Sequence, residues 1–122
     1  MPRDMNKVYS DKIFDGVRVA NGASLVSASF DVGSLNLGYH TLALEVDADT
    51  HNSALLQLSY EVSPDGALWI TSSDTTYILY KYPKYSGNDL VTFYPPLCKH
   101  IRFTAEATVA SSFVFTAWYM RQ

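Results

Sequence analysis

The sequence predicts an all-β protein, an antiparallel β-sandwich of jelly-roll type with eight or nine short strands. Three observations carry that expectation. A hydrophobic period of two recurs along most of the chain, turn-forming residues break it at close spacing, and no segment sustains a helical period.

Taken in order, the first twelve residues, "MPRDMNKVYSDK", show no period and mix charges, so residues 1–12 read as an arm ahead of one domain at 13–122. "IFDGVRVA" and "LVSASFDV" are strand candidates separated by the turn-rich "NGAS", and "GSLNLG" follows them. In "HTLALEVDADT", Leu42, Leu44, Val46 and Ala48 share one face while Glu45, Asp47 and Asp49 share the other, the pattern of a strand with one side in water. "ALLQLSYEV" repeats it, with Leu56, Leu58, Tyr60 and Val62 opposite Gln57, Ser59 and Glu61.

"SPDG" then suits a tight turn. Pro64 presets φ at its second position, Asp65 can bond back to the backbone, and Gly66 accepts a positive φ at little steric cost. Strands at 54–62 and 67–72 are expected as antiparallel neighbours, with Trp69 closing the end of the core rather than serving as a ligand platform. "TYILYKY" and "LVTFY" are the next candidates. "HIRFTAEA" alternates again, with Ile101, Phe103, Ala105 and Ala107 opposite Arg102, Thr104 and Glu106. The last strand, "FVFTAWYM", is apolar on both faces: Phe113, Phe115, Ala117 and Tyr119 on one, Val114, Thr116, Trp118 and Met120 on the other. Such a strand is either central in the sandwich or covered on its outer side by another subunit.

Composition narrows the function. A chain of 122 residues that is 48% apolar supports one domain with one core. The formal net charge of −3 lacks the basic excess that binding a polyanion requires, so nucleic acid is not an expected partner. No apolar run approaches the roughly 20 residues of a membrane span, and the charged start is unlike a signal peptide, so neither a membrane partner nor secretion by that route is expected. Cys98 is the one cysteine, which excludes an internal disulfide.

Candidate chemistry is sparse. Glu45, Asp47, Asp49 and His51 alternate on one strand face, yet same-face neighbours stand about 7 Å apart on an extended strand, too far for all of them to grip one ion. They read as a solvated face. Cys98 with His100 lacks a third group and an oxyanion site, so no catalytic residue, metal or cofactor is expected and the protein reads as no enzyme. His40 and His51 read as surface histidines. The nine tyrosines are the compositional surplus. Tyr77, Tyr80, Tyr82 and Tyr85, interleaved with Lys81 and Lys84, suit either a protein contact surface or an exposed strand of half-buried tyrosines. With Trp118 and Met120 from the last strand they form the candidate protein interface.

From "SASFDV" to the C-terminus the chain resembles the small jelly-roll capsid cement or decoration proteins of tailed bacteriophages. The matching positions are Ser29, Asp31 and Gly33; Ser63, Asp65, Gly66 and Trp69; Gly87, Pro95 and Pro96; Ile101 and Arg102; and Thr116, Ala117 and Trp118. The likeness spans roughly residues 11 to 121. It departs at "DVG", where that pattern often has "DLG", and at "YILYKYPKY", which has no counterpart. It implies a virion structural protein, assembled in the host cytoplasm, that binds a major capsid or other virion protein and forms a homo-oligomer, plausibly a trimer. Under it, the N-terminal arm orders against a neighbouring subunit instead of fraying. "YEVSPDGALW", "GND" and "FYPPLCKHIRF" are also similar to discoidin-like galactose-binding jelly rolls. That second resemblance implies a small carbohydrate-binding module in which Trp69 and the tyrosines stack on sugars.

Overall fold

The computed structural model describes residues 8–19, 23–32, 39–48, 55–71, 78–83, 86–95, 98–108 and 113–121. They form nine strands: β1 (Tyr9–Val19), β2 (Ser24–Val26), β3 (Phe30–Asp31), β4 (His40–Ala48), β5 (Leu55–Ser63), β6 (Ile78–Pro83), β7 (Ser86–Phe93), β8 (His100–Thr108) and β9 (Phe113–Arg121). One sheet has the order β1-β9-β4-β7. The other has the order β2-β8-β5-β6, with β3 also paired to β8. All pairings are antiparallel. The sheets have four and five strands, the second four strands wide because β2 and β3 share one edge, and most connections cross from one sheet to the other. That is a jelly-roll sandwich.

The period of two decides what goes inside. Leu42, Leu44 and Val46 of β4, Leu58, Tyr60 and Val62 of β5, Ile101, Phe103, Ala105 and Ala107 of β8, and Phe115, Ala117 and Tyr119 of β9 are all buried. An aromatic cluster fills the centre: Phe103 and Tyr119 rings lie 4.9 Å apart, Tyr60 and Phe93 5.2 Å, and Phe14 and Phe115 5.1 Å. Burying such rings is the main stabilising term, on the order of 2–3 kcal/mol each.

Three sequence expectations are corrected. Tyr9–Lys12, counted with the arm, are the first residues of β1; Tyr9 is paired with Arg121 and Lys12 with Trp118. The ion pair of Asp11 with Arg121, at 2.8 Å, fixes that start. The described residues of the 67–72 segment, 67–71, do not form a strand beside β5. Only an isolated antiparallel bridge, Val62 to Ile70, remains, because the neighbours of β5 are β8 and β6. "LVSASFDV" is two short strands rather than one. Ser27 interrupts it: its backbone N–H donates to the Phe103 carbonyl at 2.8 Å and its hydroxyl accepts from the Phe103 N–H at 2.9 Å.

Candidate functional site

β9 lies between β1 and β4, so its inner face is core and its outer face is the middle of an open sheet surface. The register builds that surface row by row: Lys12 stands beside Trp118, Trp118 beside Ala43, and Ala43 beside Leu90. An adjacent row brings together Met120, Thr41 and Thr92. Between these side chains lies an open groove of about 630 Å³, lined by Ala43, Glu45, Asn88, Leu90 and Trp118 among others. A second depression of about 340 Å³ adjoins it through Leu90, with Val8, Tyr39, Thr41 and Met120 on its walls.

Several large apolar side chains on this face are open to water. Leu90 is 68% exposed, Tyr39 72% and Tyr94 66%, and the two tyrosine rings meet edge to face at 5.4 Å. Exposed apolar residues gathered in one place mark contact surfaces more often than scattered ones do. The Lys12 ammonium sits 5.7 Å from the centre of the Trp118 ring and 3.7 Å from an Asp15 carboxylate oxygen. Trp118 and Met120 are half-buried on the outer face of β9. Leu90, Tyr39 and Tyr94 were missed. Leu90 and Tyr94 carried a signal, since "LVTFY" sets them opposite Val91 and Phe93 and makes that strand apolar on both sides.

Of the tyrosine-rich segment, Tyr77 and Tyr85 lie outside the described residues. Tyr80 and Tyr82 are in β6, a sheet edge, with their backbones opposite Leu58 and Leu56. The two sets of interface candidates thus sit on different sheets.

The 63–66 turn is held by side chains. The Ser63 hydroxyl accepts from the N–H groups of Asp65 and Gly66 and donates to Asp65 Oδ1, which in turn accepts from the N–H groups of Ala67 and Leu68. Those donors hold the Asp65 carboxyl below the usual carboxylate range. Pro64 is exposed, and Gly66 takes φ of +83°. Trp69 does not close the core. It lies over the Arg102 guanidinium at 4.3 Å on the outside of the second sheet, where Arg102 Nε also donates to Glu61 at 2.9 Å.

His40 is corrected from a surface histidine to a buried one, 1% exposed. Its phase with Leu42, Leu44 and Val46 turns it inward. Nδ1 lies 2.6 Å from the Tyr119 hydroxyl, and Nε2 has no partner among the described residues. Burial, helped by the positive charge of Arg121, lowers its pKa to about 4. Burial also pushes the Cys98 thiol up, which opposes a thiolate nucleophile. His100 lies beneath the turn, where a Cβ on Gly66 would meet its ring at 3.4 Å. Glu45 is exposed, while Asp49 and His51 lie outside the described residues. Among the described residues no three His, Cys, Asp or Glu side chains are grouped closely enough to hold a metal ion.

No known family model matches the chain, and no curated protein matches it in sequence. Solved structures do share its fold. Over 94% of its length the chain is similar to a chain of infectious bursal disease virus, Gt strain, with a TM-score of 0.62 at 10% identity. A chain of the T13 viral particle of the same virus matches with a TM-score of 0.59 at 9% identity. This chain spans only about a third of those two, 31% and 30%. A family 16 carbohydrate-binding module superposes more loosely, with a TM-score of 0.46 at 10% identity over 80% of this chain and 70% of the module.

Proposed function

We propose that this protein is a non-enzymatic structural component of a virion, a capsid decoration or cement protein of a tailed bacteriophage that stabilises the shell by bridging capsid subunits. The observation that carries the reading is the exposure of Leu90, Tyr39 and Tyr94 beside Trp118 and Met120 on the outer face of the β1-β9-β4-β7 sheet. The virus-particle chains of the same fold support it, as does the sequence resemblance. The protein acts as a homo-oligomer, a trimer, that reaches the virion during assembly in the host cytoplasm.

The mechanism is additive. A contact of about 1,000 Å² or more, repeated over a symmetric shell, holds through avidity rather than through one strong site. The sugar-binding alternative is weaker at Trp69, where Arg102 covers one face of the ring.

Shells assembled without the protein are the test. Adding it back should give saturable co-sedimentation and raise the temperature at which the shells open. Leu90→Asp, on a folded protein, reports whether this face meets the shell. Failure of the unaltered protein to co-sediment, or saturable binding on a glycan array, overturns the reading.

A further inference from the structure

We infer that Asp89 guards the outer edge of β7: its carboxylate, folded back on the strand, keeps that edge from pairing with another extended chain, so that this protein makes its contacts through side chains and not through added strands.

A sheet ends in strands whose outer N–H and C=O groups are a template for further pairing. Among the described strands the four edges are β1 and β7 in one sheet, and β6 and the β2–β3 pair in the other. Three of them are interrupted in the backbone. β1 shifts register twice against β9, between Lys12 and Phe14 and between Phe14 and Val17. β6 shifts register against β5 between Leu58 and Ser59 and ends at Pro83, which has no N–H to offer. β2 and β3 are three and two residues long, parted where Ser27 bonds the Phe103 backbone.

β7 has none of these interruptions. It pairs with β4 in one unbroken register, from Ser86 opposite Asp47 to Phe93 opposite His40, and no described strand lies on its other side. Leu90 on the strand and Tyr94 just past its end are 68% and 66% exposed. A regular edge bordered by open apolar side chains is the arrangement most prone to strand addition.

Asp89 is what sets this edge apart. Its place opposite Leu44 puts it on the inner side of the sheet, in phase with the half-buried Val91 and the buried Phe93. Oδ1 accepts from the Leu90 N–H at 2.9 Å, so a backbone donor in the middle of β7 is already occupied. An incoming strand has to displace that bond and strip water from a carboxylate held against the edge, and both steps oppose pairing. A charge in the inward phase of an edge strand does here what bulges and a proline do on the other edges.

Substitution at Asp89 tests the inference, read by sedimentation velocity, thioflavin fluorescence and amide exchange on the full chain. Asp89→Val removes both the charge and the acceptor. It should associate beyond the original assembly state at concentrations at least about 10-fold lower than the unaltered protein does, bind thioflavin, and gain amide protection along β7. Asp89→Asn keeps the shape without the charge and should do the same to a lesser degree; circular dichroism shows that each variant is folded. Folded Asp89→Val that stays as dispersed as the original overturns the inference, as does dispersed Asp89→Asn should the valine variant not fold. Association that leaves the β7 amides as exchangeable as before overturns it too. Shell binding by the unaltered protein is a separate readout, so the capsid reading stands or falls independently.

Discussion

His40 and Tyr119, 79 residues apart in sequence, meet at 2.6 Å between imidazole Nδ1 and phenol hydroxyl inside the jelly-roll core. Tyr119 is fully buried and Arg121 stacks over its ring at 4.6 Å, so the pair sits in an apolar setting beside a fixed positive charge. Asp11 faces the cluster from β1 through its bond to Arg121, and the rings of Phe93, Phe103 and Phe30 enclose the rest. Both members are held neutral: burial lowers the histidine to about 4 and raises the tyrosine.

Acid should therefore unfold this protein through His40. Its pKa falls from 6.5 in the unfolded chain to about 4 in the folded one, so the unfolded state binds more protons between those values. The stability is present in full above pH 6.5 and is lost as pH falls through 4, about 3 kcal/mol in total by then. Urea unfolding at pH 7.5 and 4.5 measures the difference. In His40→Leu the drop between the two pH values should shrink by about 2–3 kcal/mol, and an unchanged drop would show that carboxylates alone govern acid sensitivity.

The ion pair of Arg121 with Asp11 should anchor the beginning of β1. Arg121 is 9% exposed, and its Nε has no hydrogen-bond partner among the described residues, so NH1 to Asp11 Oδ2 at 2.8 Å is a main source of compensation for its charge. Asp11→Ala leaves a nearly buried guanidinium against the Phe30 and Tyr119 rings, at a cost of about 2 kcal/mol. Amide exchange should show the largest loss of protection at Tyr9–Lys12, where β1 meets the end of β9. Uniform loss along β1 would argue that the pair stabilises the sheet globally.

Most strands were legible because one face of each is core. Leu42, Leu44 and Val46, or Ile101, Phe103 and Ala105, announce both the strand and its inward side. His40 obeyed the same phase, two residues before Leu42, and only its polarity disguised its burial. The failures are places where a side chain replaces backbone pairing. Ser27 takes the Phe103 N–H and splits one strand into two, and Asp65 takes the N–H groups of Ala67 and Leu68 that a strand at 67–72 would have used. The contact face was half legible. The last strand announced Trp118 and Met120, but Tyr39 joins them only through pairing across strands that no local period reveals.

Gly66→Ala should destabilise the turn by about 1 kcal/mol. With φ of +83° the residue occupies the left-handed region, where a Cβ is strained, and that Cβ would also press on the His100 ring at 3.4 Å. For a domain of this size the unfolding midpoint should fall by roughly 3–6 °C. An unchanged midpoint would mean that the turn relaxes freely without disturbing Ser63 and Asp65.

Trp69 should prove to be a cover for Arg102 and not a ligand platform. Arg102 is held from two sides, by Glu61 Oε1 at 2.9 Å and by the indole ring at 4.3 Å, on the outer surface of the second sheet. A cation over an aromatic face at a partly exposed site contributes about 0.5–1 kcal/mol, and the partly buried ion pair a similar amount. Trp69→Ala and Arg102→Ala should therefore each cost about 1 kcal/mol. The double variant should cost less than their sum, because each single change already removes the shared contact. Tryptophan fluorescence supplies an independent reading: Arg102→Ala should alter the Trp69 emission, and sugars added to the unaltered protein should leave it unchanged. Sugar-dependent quenching that disappears in Trp69→Ala would instead make the ring a binding platform and reverse the assignment.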